Sequence, residues 1–377
     1  MRAALASALA GALVALAVLA AGCGGDDSDG RRLDLVVGPG YVENGTGDPK
    51  ADWVTPFERA SGCDVRTRVA LTTDELVALV GTGAYDGAAG LSDAVGRLEQ
   101  EGDLAPIDTG RLAHWREVAR SLRTAPAVVR NGRVYGVPQG RGANLLMWRT
   151  DVVRPAPTGW GVVFDGDSPH AGRLTGYDGP IAIADAALHL RETRPELGIE
   201  DVYELDATQF AAAIRLLGQQ RLAIGNYWWD YVREQAAFAS GDAVVGTTWQ
   251  FVADLLAADG VPVRAILPRE GATGWVDAWM VAKGARHEDC MYRWLDWMLE
   301  PTVNAQVAQW LGEAPSTRAA CVHTADPGWC PRYHAADEGW FSRVHYWRAP
   351  SVDCGDGRGR VCKDWDDWAE AWEEVSD

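Results

Sequence analysis

Thr273-Gly274-Trp275-Val276-Asp277-Ala278-Trp279-Met280-Val281-Ala282-Lys283-Gly284-Ala285 is the run whose reading decides the fold. It opens on Gly274, whose missing Cβ admits backbone angles other residues avoid. Side chains then alternate, with Trp275, Asp277 and Trp279 on one side and Val276, Ala278 and Met280 on the other. A period of two predicts a strand. An aromatic ring and a carboxylate on one face suit a place where a cation is held, because the ring face attracts it and the carboxylate pairs with it. Such a face is ill-suited to a dry core. A strand whose Asp277 merely caps a neighbouring turn would read the same way from this stretch alone.

Working outward, 377 residues are long for one core and predict two lobes. Apolar residues make up 47% of the chain, with 42 Gly and 18 Trp, which describes a globular protein. So many Trp residues exceed what a core needs and predict rings lining a ligand pocket. A net charge of −18 argues against nucleic acid and against an anionic membrane surface as partners. It is compatible with cationic ligands.

Residues 1–22 begin with Arg2, continue as a long Ala/Leu/Val run and end in small residues before Cys23, the pattern of a signal peptide. Cys23 stands where a bacterial lipoprotein carries its lipid, with Ala20 in place of the usual Leu and Leu19 one position earlier. An uncleaved anchor is the alternative, since the run is almost long enough to span a bilayer. Residues 23–32, rich in Gly and Asp, read as a flexible tether that leaves the folded part outside the membrane.

Next, Leu33–Val37 is an apolar run of strand length, followed by a loop presenting Tyr41 and Glu43. Trp53–Ser61 reads as a helix ended by Gly62, and Cys63–Val69 alternates as a strand. Thr72 and Thr73 with Asp74 and Glu75 start another helix. Tyr85–Gly90 is a buried strand leading into a helix that opens at Ser92-Asp93. Strands alternating with helices imply a parallel sheet, with ligands beyond the carboxyl ends of its strands. Tyr41, Glu43, Ser92 and Asp93 all fall at that edge.

The order Ala84-Tyr85-Asp86, then Glu101-Gly102-Asp103-Leu104-Ala105-Pro106-Ile107-Asp108, then Val134-Tyr135-Gly136-Val137-Pro138 resembles the extracellular solute-binding proteins of ABC importers, within them the spermidine/putrescine-binding branch. The resemblance covers about residues 33–320. It implies an α/β, two-lobed, periplasmic-binding-protein-like fold of type II with an interlobe cleft, followed by a Cys/Trp-rich C-terminal extension. Lobe 1 would hold 33–138 and 279–320, lobe 2 139–278, with crossing strands near Pro138 and Trp275. The resemblance also implies a membrane permease as partner, delivery of ligand to it, no catalysis, no cofactor and no metal.

Within lobe 2, Ile181–Ala187 reads as a buried strand entering a helix, with Asp185 at the helix start where the dipole favours an acid. Asp206–Gln220 reads as an amphipathic helix and Gly241–Trp249 as a strand. The resemblance places an amine-contacting acid at Asp185, with Leu188 where a second acid is expected. It also maps Trp249 onto a pocket tryptophan, Trp275-x-Asp277 onto a pocket pair, and Glu313 onto a pocket residue in the turn after the helix Thr302–Leu311.

Residues 321–377 extend beyond the resemblance. Trp365, Trp368 and Trp372 fall at helical spacing and predict a terminal helix packing its rings on lobe 1. An exported chain sits in an oxidising setting. Cys321–Cys330 and Cys354–Cys362 would close short loops, and Cys63 would pair with Cys290 as two lobe 1 residues, with Cys290–Cys321 as a competitor.

No Gly-x-Ser-x-Gly, His-Glu-x-x-His, Walker loop or Cys-x-x-Cys occurs. The candidate ligand set is Tyr41, Glu43, Asp93, Asp185, Trp249, Trp275, Asp277 and Glu313: acids for ammonium ends, rings for a methylene chain. This predicts a lipid-anchored, extracytoplasmic monomer that binds a small organic cation, polyamine first. The rivals are a carbohydrate-binding lipoprotein of the same transport class, a hydrolase using paired cleft carboxylates, and an interaction lipoprotein using its Trp-rich tail.

Overall fold

The structure, a computed structural model, describes residues 31–376. Cys23, the signal-peptide segment and most of the tether lie outside the described residues. In chain order the strands are β1 (Arg32–Val37), β2 (Asp64–Val69), β3 (Gly87–Leu91), β4 (Val129–Arg130), β5 (Arg133–Val134), β6 (Val137–Ala143), β7 (Leu145–Arg149), β8 (Leu174–Tyr177), β9 (Ile224–Trp228), β10 (Val245–Thr248), β11 (Val263–Ile266), β12 (Ala272–Val281), β13 (Ala314–Pro315) and β14 (Val344–Tyr346).

Two sheets organise the two lobes. The larger runs β13-β6-β12-β3-β1-β2, with β14 also paired to β12; the smaller runs β11-β7-β10-β8-β9. The parallel pairing of β1 with β2 and β3 follows from the helices between them. Helix Thr73–Gly81 is capped by the Thr72 side chain, which accepts from Glu75 N. Helix Ala207–Arg221 opens with a reciprocal box, Asp206 accepting from the Gln209 backbone while the Gln209 side chain accepts from the Asp206 backbone. One core gathers around Trp53, Trp279 and Trp294 and another around Trp160, Trp347 and Trp368.

The quoted run forms β12, and all ten of its residues are buried. The expectation that this face avoids a dry core is therefore corrected. β12 is central: β6 runs along one edge, while the other is shared by β3 at residues 277–281 and β14 at residues 272–274. Opposite Asp277 and Ala278 the register shifts by one, leaving Gln139 as an extra residue in β6. Such a bulge re-aims neighbouring side chains and is common beside functional sites.

The boundaries proposed at 138/139 and 278/279 fall inside β6 and β12. Sheet membership changes instead at Asn144, between β6 and β7, and in the segment 267–271 before β12. Ile181–Ala187 contains no strand: helix Ala182–Thr193 begins there, and the strand of this unit is β8. The apolar run is buried in either form, and periodicity alone does not separate the two. The strand expected over Gly241–Trp249 is confined to Val245–Thr248.

Three disulfides form, Cys63–Cys290, Cys321–Cys330 and Cys354–Cys362, so the Cys290–Cys321 competitor does not. The terminal helix Trp365–Ser376 does bury its rings, but against lobe 2. Trp368 packs on Tyr203 and Phe210, and Trp372 on Tyr227. The apolar face of helix Ala207–Arg221 supplies the partner surface, and Arg348 secures the approach by pairing with Asp201 and Glu204. Because β14 joins the large sheet, the extension straddles both lobes.

Candidate functional site

The site begins where the chain crosses between sheets. The backbone N–H of Asn144 donates to the carbonyl of Thr273 at 2.9 Å, and its Nδ2 donates to Thr273 Oγ1 at 2.8 Å. Asn144 Oδ1 accepts from Trp249 Nε1 at 3.0 Å. One asparagine thus clamps both crossing strands and orients the ring at the end of β10. Two glycines of β6 leave room for the side chains that cover it. A Cβ at Gly142 would lie 2.3 Å from the Trp275 ring, and one at Gly140 would lie 2.1 Å from Glu313 Cδ.

A cavity of about 300 Å³ opens beside this crossing. Lobe 1 contributes Asp74, Asp93 and Arg97, lobe 2 contributes Tyr177, Asp178, Trp229 and Trp249, and the extension contributes Trp347 and Trp365. Asp93 lies at the start of helix Ser92–Glu101, where β3 ends. Among the described residues its Oδ1 is buried with no hydrogen-bond partner. Burial pushes its carboxyl up to about 6, against the pull of Arg97. Arg97 itself donates to Asp74 at 2.6 Å and stacks 4.7 Å from the Trp365 ring centre. The rings interlock: Tyr177 lies 6.0 Å from Trp249 and 5.0 Å from Trp347 between centroids. A larger hollow of about 640 Å³, between helices Val54–Ser61 and Glu288–Leu299, lies away from the crossing, and its Arg111 is already paired with Glu288 and Asp289.

The other expected residues divide into separate groups. Tyr41, Asp277 and Glu313 form a buried cluster below the crossing, in which the Tyr41 hydroxyl donates to Asp277 Oδ1. Burial and then the Asp277 charge hold Glu313 well above the usual carboxyl range. None of the three lines the cavity, and Trp275 meets it only through Trp249, 6.1 Å away between centroids. Asp185 also lies outside, buried in lobe 2, where its Oδ1 accepts from Thr273 Oγ1 at 2.5 Å and burial raises it to about 7. Glu43 is half-buried, and its carbonyl accepts from the N–H groups of Trp53 and Val54. Of the eight expected residues, Asp93 and Trp249 line the cavity.

Tyr177, Asp178, Trp229, Trp347 and Trp365 were missed. Tyr177-Asp178 ends β8, so the rule placing ligands beyond strand carboxyl ends would have found it. Trp347 carried no local signal, because its place depends on β14 joining β12 across some seventy residues.

This geometry, two α/β lobes crossed by paired strands with a ring-lined hollow at the crossing, defines a two-lobed binding protein. The family model described as bacterial extracellular solute-binding protein matches residues 52–327, and the chain belongs to that family. It is 28% identical over 284 residues to a putrescine/cadaverine-binding protein of Pseudomonas aeruginosa, covering 71% of this chain and 77% of the relative. It is 22% identical over 240 residues to the spermidine/putrescine-binding periplasmic protein of Escherichia coli, covering 63% and 65%. In fold it is similar to a spermidine/putrescine ABC transporter substrate-binding protein of Streptococcus pneumoniae, with TM-score 0.71, 14% identity and coverage of 92% and 100%. The chain is thus the solute-binding component of an ABC transporter, with polyamine-binding proteins among its relatives. Among the described residues no helix is long and apolar enough to cross a membrane.

Proposed function

We propose that the chain captures a small organic cation, polyamine-like, in the cavity between its lobes and delivers it to a membrane permease while tethered through a lipid on Cys23. The observation that carries this reading is the cavity wall. Asp93, an acid of that wall, stands beside the rings of Tyr177, Trp249 and Trp347. An ammonium group supplies the missing charge, and the rings cover the methylenes that follow it. The one basic side chain in the wall, Arg97, is already held by Asp74. The Tyr41–Asp277–Glu313 cluster supports the crossing from beneath. That same cluster holds the carboxyl pair a hydrolase would need, but neither acid lines the cavity, which weighs against catalysis.

Calorimetry with putrescine, spermidine, choline and a set of neutral oligosaccharides tests the reading. Saturable binding of an amine is expected. Binding of a sugar and of no amine would overturn the ligand assignment and leave the transport reading standing.

A further inference from the structure

We infer that Trp347 sets the length of amine the cleft accepts, by walling the cavity off from the buried carboxyl of Asp185. The inference rests on the amine-binding reading above and goes beyond it, because Trp347 lies outside residues 52–327, the part of the chain that matches the family.

Trp347 is held from the crossing strand β12 and from lobe 1. Its backbone N–H donates to the Gly274 carbonyl at 2.6 Å, and its carbonyl accepts from Ser92 Oγ at 2.7 Å. Its indole Nε1 donates to Thr273 Oγ1 at 3.3 Å, while its ring faces Tyr177 in the cavity wall. The residue is 1% exposed, so its ring fills its place rather than hanging into solvent. Immediately behind it, the same Thr273 hydroxyl donates to Asp185. Among the described residues Asp185 has no cationic partner, and its helix neighbours Ala184, Ala186 and Leu188 belong to an apolar core. A carboxyl of this kind, one hydroxyl removed from a cation-binding cavity, would take a second ammonium if a chain could reach it. The indole stands in that path.

The wild-type cleft therefore holds one ammonium at Asp93 and a short chain across the rings. A longer chain has no room to place its next ammonium at Asp185. Removing the indole opens that route.

The test is a set of titrations with putrescine and spermidine on the full chain. Wild type is expected to bind putrescine about ten-fold or more tightly than spermidine. In Trp347→Ala the preference shifts toward spermidine by about ten-fold. In Asp185→Asn alone, putrescine affinity stays as in wild type, because Asp185 does not line the cavity. In the double variant the gain for spermidine disappears. Trp347→Phe, which keeps a ring in the core but is smaller and lacks the N–H, is read the same way if the alanine variant melts at room temperature. An unchanged spermidine-to-putrescine ratio in both Trp347 variants overturns the inference, as does a large loss of putrescine binding in Asp185→Asn. Wild type binding neither amine overturns the amine reading itself, an outcome distinct from binding with an unchanged ratio.

Discussion

Gly140 and Glu313 face each other across the crossing so closely that an ideal Cβ on the glycine would stand 2.1 Å from Glu313 Cδ, with both carboxyl oxygens within 2.3 Å. Glu313 is fully buried beside Asp277, which itself accepts from Tyr41, so its carboxyl has little room to swing away. Gly140→Ala should therefore destabilise the protein by about 2–3 kcal/mol, as overpacking does. Glu313→Ala in the same chain should restore much of that loss by vacating the space. Denaturant melts of the three variants check this, and an additive double variant would show that the two positions do not compete.

Asp93 gives the cavity a pH signature. Burial raises its carboxyl to about 6, so below that pH it is protonated and offers no charge to an ammonium. Amine affinity should be flat above about pH 7 and fall as the pH drops through 6. Asp93→Asn should cost about ten-fold in affinity and abolish the dependence. Calorimetry between pH 5 and 8 decides; a variant that keeps the wild-type slope would assign it to another group.

The disulfides should not matter equally. Cys63–Cys290 closes a loop of 227 residues, whereas Cys354–Cys362 closes one of 8. On the chain-entropy account the first is worth about 5 kcal/mol and the second about 2–3 kcal/mol. Paired Cys→Ser variants compared by thermal melting should show the larger loss for Cys63 and Cys290. Equal losses would mean that local packing, not loop closure, sets the contribution.

How much of this was legible in the sequence varied with how local each feature was. The alternating run in β12, the glycine-ended helices and the order of the first lobe depend on neighbouring residues and could be read directly. The buried character of β12 could not, because it depends on β14 arriving from seventy residues downstream to cover the edge β3 leaves free. The candidate site divided for the same reason. Asp277 and Trp275 sit in a recognisable motif, yet whether they line a cavity is decided by Glu313 and by the rings packed above them. Asp93, read from its place at a strand end, and Trp249, implied by the resemblance, do line it. The extension looked like a separate element because its Trp spacing describes only its own helix, and nothing local says which lobe offers that helix a complementary face.

Asp185 provides a test that does not depend on any ligand. Burial raises its carboxyl to about 7 in the folded protein, well above the value near 4 expected in the unfolded chain. The sign follows from that difference. Below about pH 4 the group is protonated in both states and costs nothing. As pH rises toward 7, the unfolded chain gains stability by ionising while the folded protein resists, so folding loses free energy. Asn keeps a partner for Thr273 and cannot ionise. The melting temperature of Asp185→Asn relative to wild type should therefore climb from pH 5 to pH 8, by an amount on the order of 2 kcal/mol or about 3 °C. Asp93, also raised, is present in both proteins and cancels in the comparison. Parallel melting curves across this range would mean that Asp185 is solvated in the folded protein, and the wall formed by Trp347 would then not be sealing it.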